Sequence, residues 1–172
     1  IYKKLISNKK FVYLKRNISP KEHQKIIELG EINLQTSIEK KRIYPFRNIG
    51  SHIIGYVDVD NNGLAGIEKS YDENLKKGED IYLTLNINLQ NASTKVLLKT
   101  INKFSAESGS IIIMDITNSE ILSLVNYPDF DSNNVNQSNS NQRLNRVLQS
   151  NYEMGSTFKP ITVAMGIDSG II

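Results

Sequence analysis

No cysteine occurs among the 172 residues, so no disulfide braces the fold and no thiolate can hold a metal. Redox compartment stays open on that ground, because cysteine-free proteins occur on both sides of a membrane. Histidine is nearly as scarce, with His23 and His52 standing alone and without neighbouring ligands, a poor basis for a metal site. Long apolar runs are missing too. Ile111 to Met114 and Ile161 to Met165 fall far short of the roughly 18 residues that span a bilayer, and no signal peptide opens the chain. Charge is close to balanced, with 21 basic against 18 acidic residues. Without an arginine-rich stripe, that excludes nucleic acid as the expected partner. The lysine clusters Lys3, Lys4, Lys9, Lys10 and Lys40, Lys41 read as solvated faces.

What is present suffices for a globular fold, since 39% of the residues are hydrophobic. "SPKEHQKIIELG" carries the signals of a short surface helix. Ser19 stands at the N-cap, Pro20 in the first turn, Glu22 completes a capping box and Gly30 follows the end. From Ile32 to Val59 the pattern is broken and β-rich, "KKRIYPF" and "SHIIGYVDVD" reading as short strands and "NNGLAG" as a glycine-bearing loop. From "GEDIYLTL", read as a strand, the texture changes. Leu89, Ala92, Val96, Leu97 and Ile101 recur at helical spacing and predict a long helix. "SGSIIIMDITNSEILSLVNYP" predicts a hairpin turning at Thr117 to Glu120, both faces largely buried. "DSNNVNQSNSNQ" reads as a solvent-facing loop, and Thr157 to Asp168 as a helix ending at Gly170. The expected class is α+β, a strand-rich region over residues 1–75 followed by sheet covered by helix over 76–172.

Several residues invite a chemical role. Asp58, Asp60, Asn62 and Gly63 imitate a calcium loop, but Lys69 stands where the bidentate glutamate belongs, and a polar turn is the simpler reading. "PDFDSNN" fails in the same way. His52 sits outside any catalytic constellation and is read as structural. Ser-x-x-Lys occurs three times. Ser7/Lys10 and Ser37/Lys40 lie in hydrated, lysine-rich surroundings, where lysine keeps its proton up to its ordinary range of ~10.4 and cannot act as a base. Ser156/Lys159 is flanked by Met154, Phe158, Ile161, Val163 and Ala164, so its helix is expected to be buried on most sides. Residues three apart share a helix face, which brings the lysine nitrogen toward the serine oxygen. Gly155 lets the chain turn tightly, Pro160 marks a helix start, and the positive helix end favours a developing anion. The local pattern leaves two readings open, an activated nucleophile or an N-cap serine beside a snorkelling lysine.

The stretches "RIYPFRNIGSHIIGYVD", "NGLAGIEKSYDENL", "LTLNINLQ", "IIIMDITNSEILSLVNYPDFD", "LNRVLQSNYEMGSTFKP" and "AMGIDSG" together resemble the class B penicillin-binding proteins, in particular their division-type peptidoglycan transpeptidases. Ser-x-x-Lys is the first signature of that group. The resemblance implies a β-rich pedestal of dimerisation type over residues 1–75. It implies the first part of a transpeptidase α/β-sandwich domain over 76–172. It makes Ser156 the acyl-accepting nucleophile, Lys159 the general base and the Ser156 N–H half of an oxyanion hole. Arg42, Tyr44, Pro45, His52, Gly63, Gly66 and Glu68 match the pedestal, with architectural or interaction roles. No metal or organic cofactor is implied. The implied partners are peptidoglycan stem peptides, β-lactam antibiotics, a membrane glycosyltransferase and other division proteins. The implied location is the inner membrane, facing the periplasm.

Departures from the pattern bear on these expectations. The family's Ser-x-Asn and Lys-Thr-Gly motifs, its Arg-Gly-x-Ile motif and its membrane anchor are not in this stretch. The chain therefore reads as an internal piece that, alone, neither cross-links nor acylates efficiently. Asn86 stands where the family commonly has aspartate and is expected to cap the following helix, and Met154 replaces a common proline. Two rivals keep the same residues: a penicillin-recognising sensor or silent homologue, and a scaffold in which Ser156 is only a cap.

Overall fold

Ser19 and Glu22 satisfy each other's backbone donors, and a helix starts there for that reason. In the computed structural model, which describes residues 2–6 and 8–171, Glu22 N–H donates to Ser19 Oγ at 3.3 Å and Ser19 N–H to Glu22 Oε2 at 2.9 Å. Lys15 Nζ reaches the other carboxylate oxygen at 2.5 Å. Those bonds, Lys15 first, hold the Glu22 pKa down to about 2. Residues Ile1–Lys41 form one compact unit, with helices α1 (Tyr2–Leu5) and α2 (Pro20–Glu28).

The second unit, Arg42–Ile172, opens with α3 (Ser51–Ile54), β1 (Tyr56–Val57), β2 (Gly63–Ala65), α4 (Gly66–Ser70) and α5 (Asp72–Lys77). Strands β1 and β2 pair antiparallel, Tyr56 opposite Ala65 and Val57 opposite Gly63. At Gly66 the chain turns with φ +58°, and a Cβ there would lie 2.3 Å from the Ile53 carbonyl oxygen. Only glycine fits both demands. The turn buries Glu68, whose Oε1 accepts from Arg42 Nε at 2.7 Å. Tyr44 is buried beside this pair, and burial first, then the Glu68 charge, pushes its phenol well above the usual range.

Then come α6 (Ile87–Phe104), β3 (Gly109–Met114), β4 (Ile121–Tyr127), α7 (Ser140–Arg143), α8 (Arg146–Gln149) and α9 (Lys159–Asp168). Strands β3 and β4 form the predicted antiparallel hairpin. Its turn is held by Asp115, whose carboxylate accepts from Thr117 N–H at 2.8 Å and whose N–H donates to the Glu120 carbonyl at 2.9 Å. Helix α6 lies across the hairpin and closes a core of Leu97, Ile101 and Val125, with Ile111 and Tyr127 against it. Asn86 caps α6 as expected, accepting from Asn88 N–H at 3.0 Å and Leu89 N–H at 3.2 Å.

The free edge of β4 needs partners. Asn86 N–H donates to Leu122 O at 2.8 Å and Thr84 Oγ1 to Ile121 O at 2.7 Å. Gln90, itself buried, completes the edge: Nε2 donates to Leu124 O at 2.7 Å, and Oε1 accepts from Leu124 N–H at 2.9 Å and Ser123 Oγ at 3.1 Å. A single amide thus replaces a strand.

The α+β class holds, and several local expectations are corrected. "KKRIYPF" is no strand, because Pro45 has no N–H to give and the Tyr44 backbone pairs with a side chain: Tyr44 N–H donates to Asn133 Oδ1 at 2.9 Å, Asn133 Nδ2 to Tyr44 O at 2.8 Å. Ser51–Ile54 is a turn of helix between two positive-φ glycines, and "NNGLAG" contributes a strand where a loop was expected. The described part of residues 1–75 therefore holds more helix than strand. "GEDIYLTL" stays outside the sheet: the β4 groups beside it pair with the Thr84 hydroxyl, the Asn86 N–H and the Gln90 amide. On α6 the buried stripe is Gln90, Ser93, Leu97 and Ile101, while Ala92 and Val96 face outward. The hairpin is buried mainly through β4, Ile112 and Met114 of β3 being half exposed.

The Asn/Ser-rich stretch is also more than a solvated loop. Ser132 is buried, Asn139 and Gln142 form a capping box at 2.9 and 3.0 Å, and Arg146 is buried while donating to Asn141 O at 3.0 Å. If Gln90 closes the β4 edge, Gln90→Leu orphans buried N–H and C=O groups and lowers the unfolding free energy by about 3 kcal/mol. Urea titration of the chain checks this, with Lys99→Ala on the exposed side of α6 changing it by less than about 0.5 kcal/mol.

Candidate active site

Residues Gly155–Phe158 form a 3-10 turn that runs directly into α9. Gly155 enters it at φ +52°, a conformation that strains any residue with a Cβ. Pro160 lies in the first turn of α9 as its missing N–H predicts. Lys159 N–H donates to the Ser156 carbonyl. In a 3-10 turn residues i and i+3 eclipse, which is the spacing of Ser156 and Lys159.

The capping alternative for Ser156 does not occur. Met154 and Phe158 hold the N-cap positions of the turn and of α9, and neither end carries a side-chain capping bond. The Thr157 hydroxyl donates back to Met154 O. The Ser156 N–H lies where a turn's first donors have no partner within the turn. Among the described residues no hydrogen bond joins the Ser156 hydroxyl to the Lys159 ammonium.

The expected burial of this helix is not found. Phe158, Ile161, Val163, Met165 and Ile167 are between 49% and 65% exposed, because α9 packs chiefly on the 3-10 turn before it. A helix apolar on several sides is a core helix by pattern, and the described residues do not provide that core.

The other candidates separate cleanly from this site. Ser37 and Lys40 are exposed, and Ser7 of the remaining pair lies outside the described residues. Asp58 spends its carboxylate on its own loop, accepting from Asp60 N–H, Asn62 N–H and Asn62 Nδ2, each at 2.8 Å. Asn62 is the main reason its pKa is lowered. Asp131 does the same with Asn133 N–H at 2.8 Å and Asn134 Nδ2 at 3.2 Å.

His52 is buried, edge-on to Phe130 at 5.2 Å, with Nε2 2.8 Å from the Gln142 carbonyl oxygen. Facing a carbonyl, Nε2 must be the donor, so the ring is fixed as a structural link. Asn145 Nδ2 returns to the His52 carbonyl at 3.3 Å. Asn133, Gln142 and Asn145 tie the approach to the serine motif onto residues 44–52, a function that sequence reasoning missed. Gln90 was missed too, although it stands seven residues before Leu97 on the same helix face.

Comparison with known proteins decides the family. Residues 1–112 match the penicillin-binding protein dimerisation domain, and 109–172 the penicillin-binding protein transpeptidase domain. The chain belongs to the penicillin-binding protein family. It is 34% identical to the "Probable peptidoglycan D,D-transpeptidase FtsI" of Caulobacter vibrioides over 90% of its own length and 27% of that protein. Against the "Probable peptidoglycan D,D-transpeptidase PenA" of Neisseria meningitidis serogroup A it is 30% identical, over 94% of this chain and 33% of that one. With "Peptidoglycan D,D-transpeptidase FtsI" of Escherichia coli K12 it shares 28% identity over 95% of this chain and 32% of that one. The "Crystal structure of a putative peptidoglycan glycosyltransferase from Atopobium parvulum DSM 20469" superposes with TM-score 0.66 at 30% identity, covering 76% of this chain and 33% of that one. This penicillin-binding protein chain thus spans about a third of the length of the curated relatives it matches. Its fold is a dimerisation domain followed by the start of a transpeptidase domain. Among the described residues no helix is long and apolar enough to cross a membrane.

The buried ring of this penicillin-binding protein makes a pH prediction. Burial pulls the His52 pKa below its ordinary value, Arg146 adding to the fall while the Gln142 carbonyl and Asp129 oppose it. The unfolded imidazole titrates near ~6.5, so below that pH the unfolded chain binds the proton first and folding weakens. The urea midpoint is expected to drop between about pH 7.5 and about pH 5.5, and His52→Gln to flatten that dependence. An unchanged slope in the variant contradicts the assignment.

Proposed function

We propose that the protein is a peptidoglycan D,D-transpeptidase working through a serine acyl-enzyme, in septal wall synthesis during division. The observation that carries this reading is the uncapped Ser156, joined to Lys159 by a backbone bond inside the stretch that matches the transpeptidase domain. The names of the relatives support the reaction class. In this reading residues 1–75 are pedestal and 76–172 begin the catalytic domain.

In this reading Lys159 is the base that receives the Ser156 proton while Oγ bonds to the carbonyl carbon of the penultimate D-alanine of a stem peptide. The oxyanion that forms lies toward the Ser156 N–H and the positive end of α9. The peptide C–N bond then breaks, the proton passes to the leaving D-alanine nitrogen, and an amine of a second strand displaces the serine. A β-lactam acylates the same oxygen as its ring amide opens, and the opened ring leaves no departing fragment to make room for the acceptor. The acting partners are stem peptides, a membrane glycosyltransferase and other division proteins, with the enzyme at the inner membrane facing the periplasm.

A silent penicillin-recognising homologue keeps the same serine but releases nothing. The two part on D-alanine release from a stem-peptide substrate by the full-length protein. Release is expected, and Ser156→Ala reduces it by at least ~10³-fold. No release from the native protein supports the silent homologue.

A further inference from the structure

The charge of this chain is segregated. Unit Ile1–Lys41 holds ten basic and four acidic residues, a net +6, and the rest of the chain 11 basic and 14 acidic, a net −3. Within residues 1–16 there are six basic side chains, Lys3, Lys4, Lys9, Lys10, Lys15 and Arg16, and no acid.

Exposed apolar and aromatic side chains share that stretch. Tyr2 is 75% exposed, Ile6 63%, Phe11 66% and Tyr13 45%. Lys4 Nζ donates to the Tyr13 carbonyl at 2.8 Å, which folds α1 back onto residues 11–16. Phe11 and Tyr13 meet edge to face at 4.9 Å, and the Arg16 guanidinium lies 4.2 Å from the Tyr13 ring centre. Lys15 is partly neutralised by Glu22, whereas Lys9 and Lys10 are exposed.

We propose that Tyr2, Lys4, Ile6 and residues 8–16 form a docking surface for an anionic phospholipid bilayer, with Lys9 and Lys10 among the lipid phosphates and Phe11 and Tyr13 at the headgroup level. Three observations select this partner. The net charge of the unit is opposite to that of the rest of the chain, so an anionic surface attracts this unit and not the remainder. Aromatic rings with a wet edge and an apolar body suit an interface. The basic cluster adds attraction that acts only within a Debye length of the surface. The lysines that read as a solvated face in the sequence thus have a specific occupant, and the assignment does not depend on Ser156.

Co-sedimentation of the 172-residue chain with vesicles tests it. Phosphatidylcholine vesicles should bind little, and vesicles with about 30% phosphatidylglycerol should bind strongly, with steep loss between about 0.05 and 0.5 M salt. The double substitution Lys9→Glu, Lys10→Glu should weaken binding at least ~10-fold. Lys40→Glu with Lys41→Glu changes net charge equally and should weaken it less than ~3-fold, with far-UV circular dichroism confirming that both variants fold. Equal loss in the two variants, equal binding to the neutral vesicles, or binding to a soluble polyanion such as heparin as tight as to the anionic vesicles each overturns the proposal.

Discussion

Gln90 is where the second unit is decided. A two-stranded hairpin is marginal in water without a third partner, and β4 faces α6 with backbone groups that β3 does not reach. The Gln90 amide gives Leu124 both a donor and an acceptor, which lets a helix pack on a strand edge without leaving buried polar groups unpaired. Leu97 and Ile101, further along the same face, then reach Val125. The apolar core follows from a polar bond that sets the helix at the right height.

A similar substitution of side chain for strand joins distant parts of the chain. Asn133 pairs both backbone groups of Tyr44, Asn48 Nδ2 donates to Asp129 at 2.8 Å, and His52 meets Gln142. These contacts link residues 81 to 90 positions apart. They account for a compact unit that begins at Arg42, although the two family domains meet near residues 109–112. Tight coupling across that junction gives the segment leading to Ser156 a firm base as far as Arg146, whose carbonyl accepts from the Tyr152 hydroxyl at 3.4 Å.

The sequence was most legible where structure is local. Ser19, Glu22, Asn86 and the Asp115 turn act through neighbours two or three residues away, and each does what its residue type predicts. It was least legible where a polar side chain serves a distant backbone. Asn133 read as loop and Gln90 was not singled out, because nothing in their own surroundings reports the partner dozens of residues away. Val96 shows the converse error, an apolar residue on the helical period that the structure leaves outside. At the site, spacing and backbone were legible in Ser156, Lys159, Gly155 and Pro160. The burial expected around them was not, since it depends on tertiary neighbours that the helix pattern demands but cannot place.

The central claim is that Ser156 is the acyl acceptor. The 3-10 turn carries no capping bond from the Ser156 hydroxyl, and the Lys159 N–H donates to the Ser156 carbonyl. Peptide mass spectrometry of the full-length protein after brief exposure to a labelled penicillin tests this most directly. The account predicts one stoichiometric adduct on Ser156 that disappears in Ser156→Ala. An adduct on another residue, or one that persists in that variant, contradicts it.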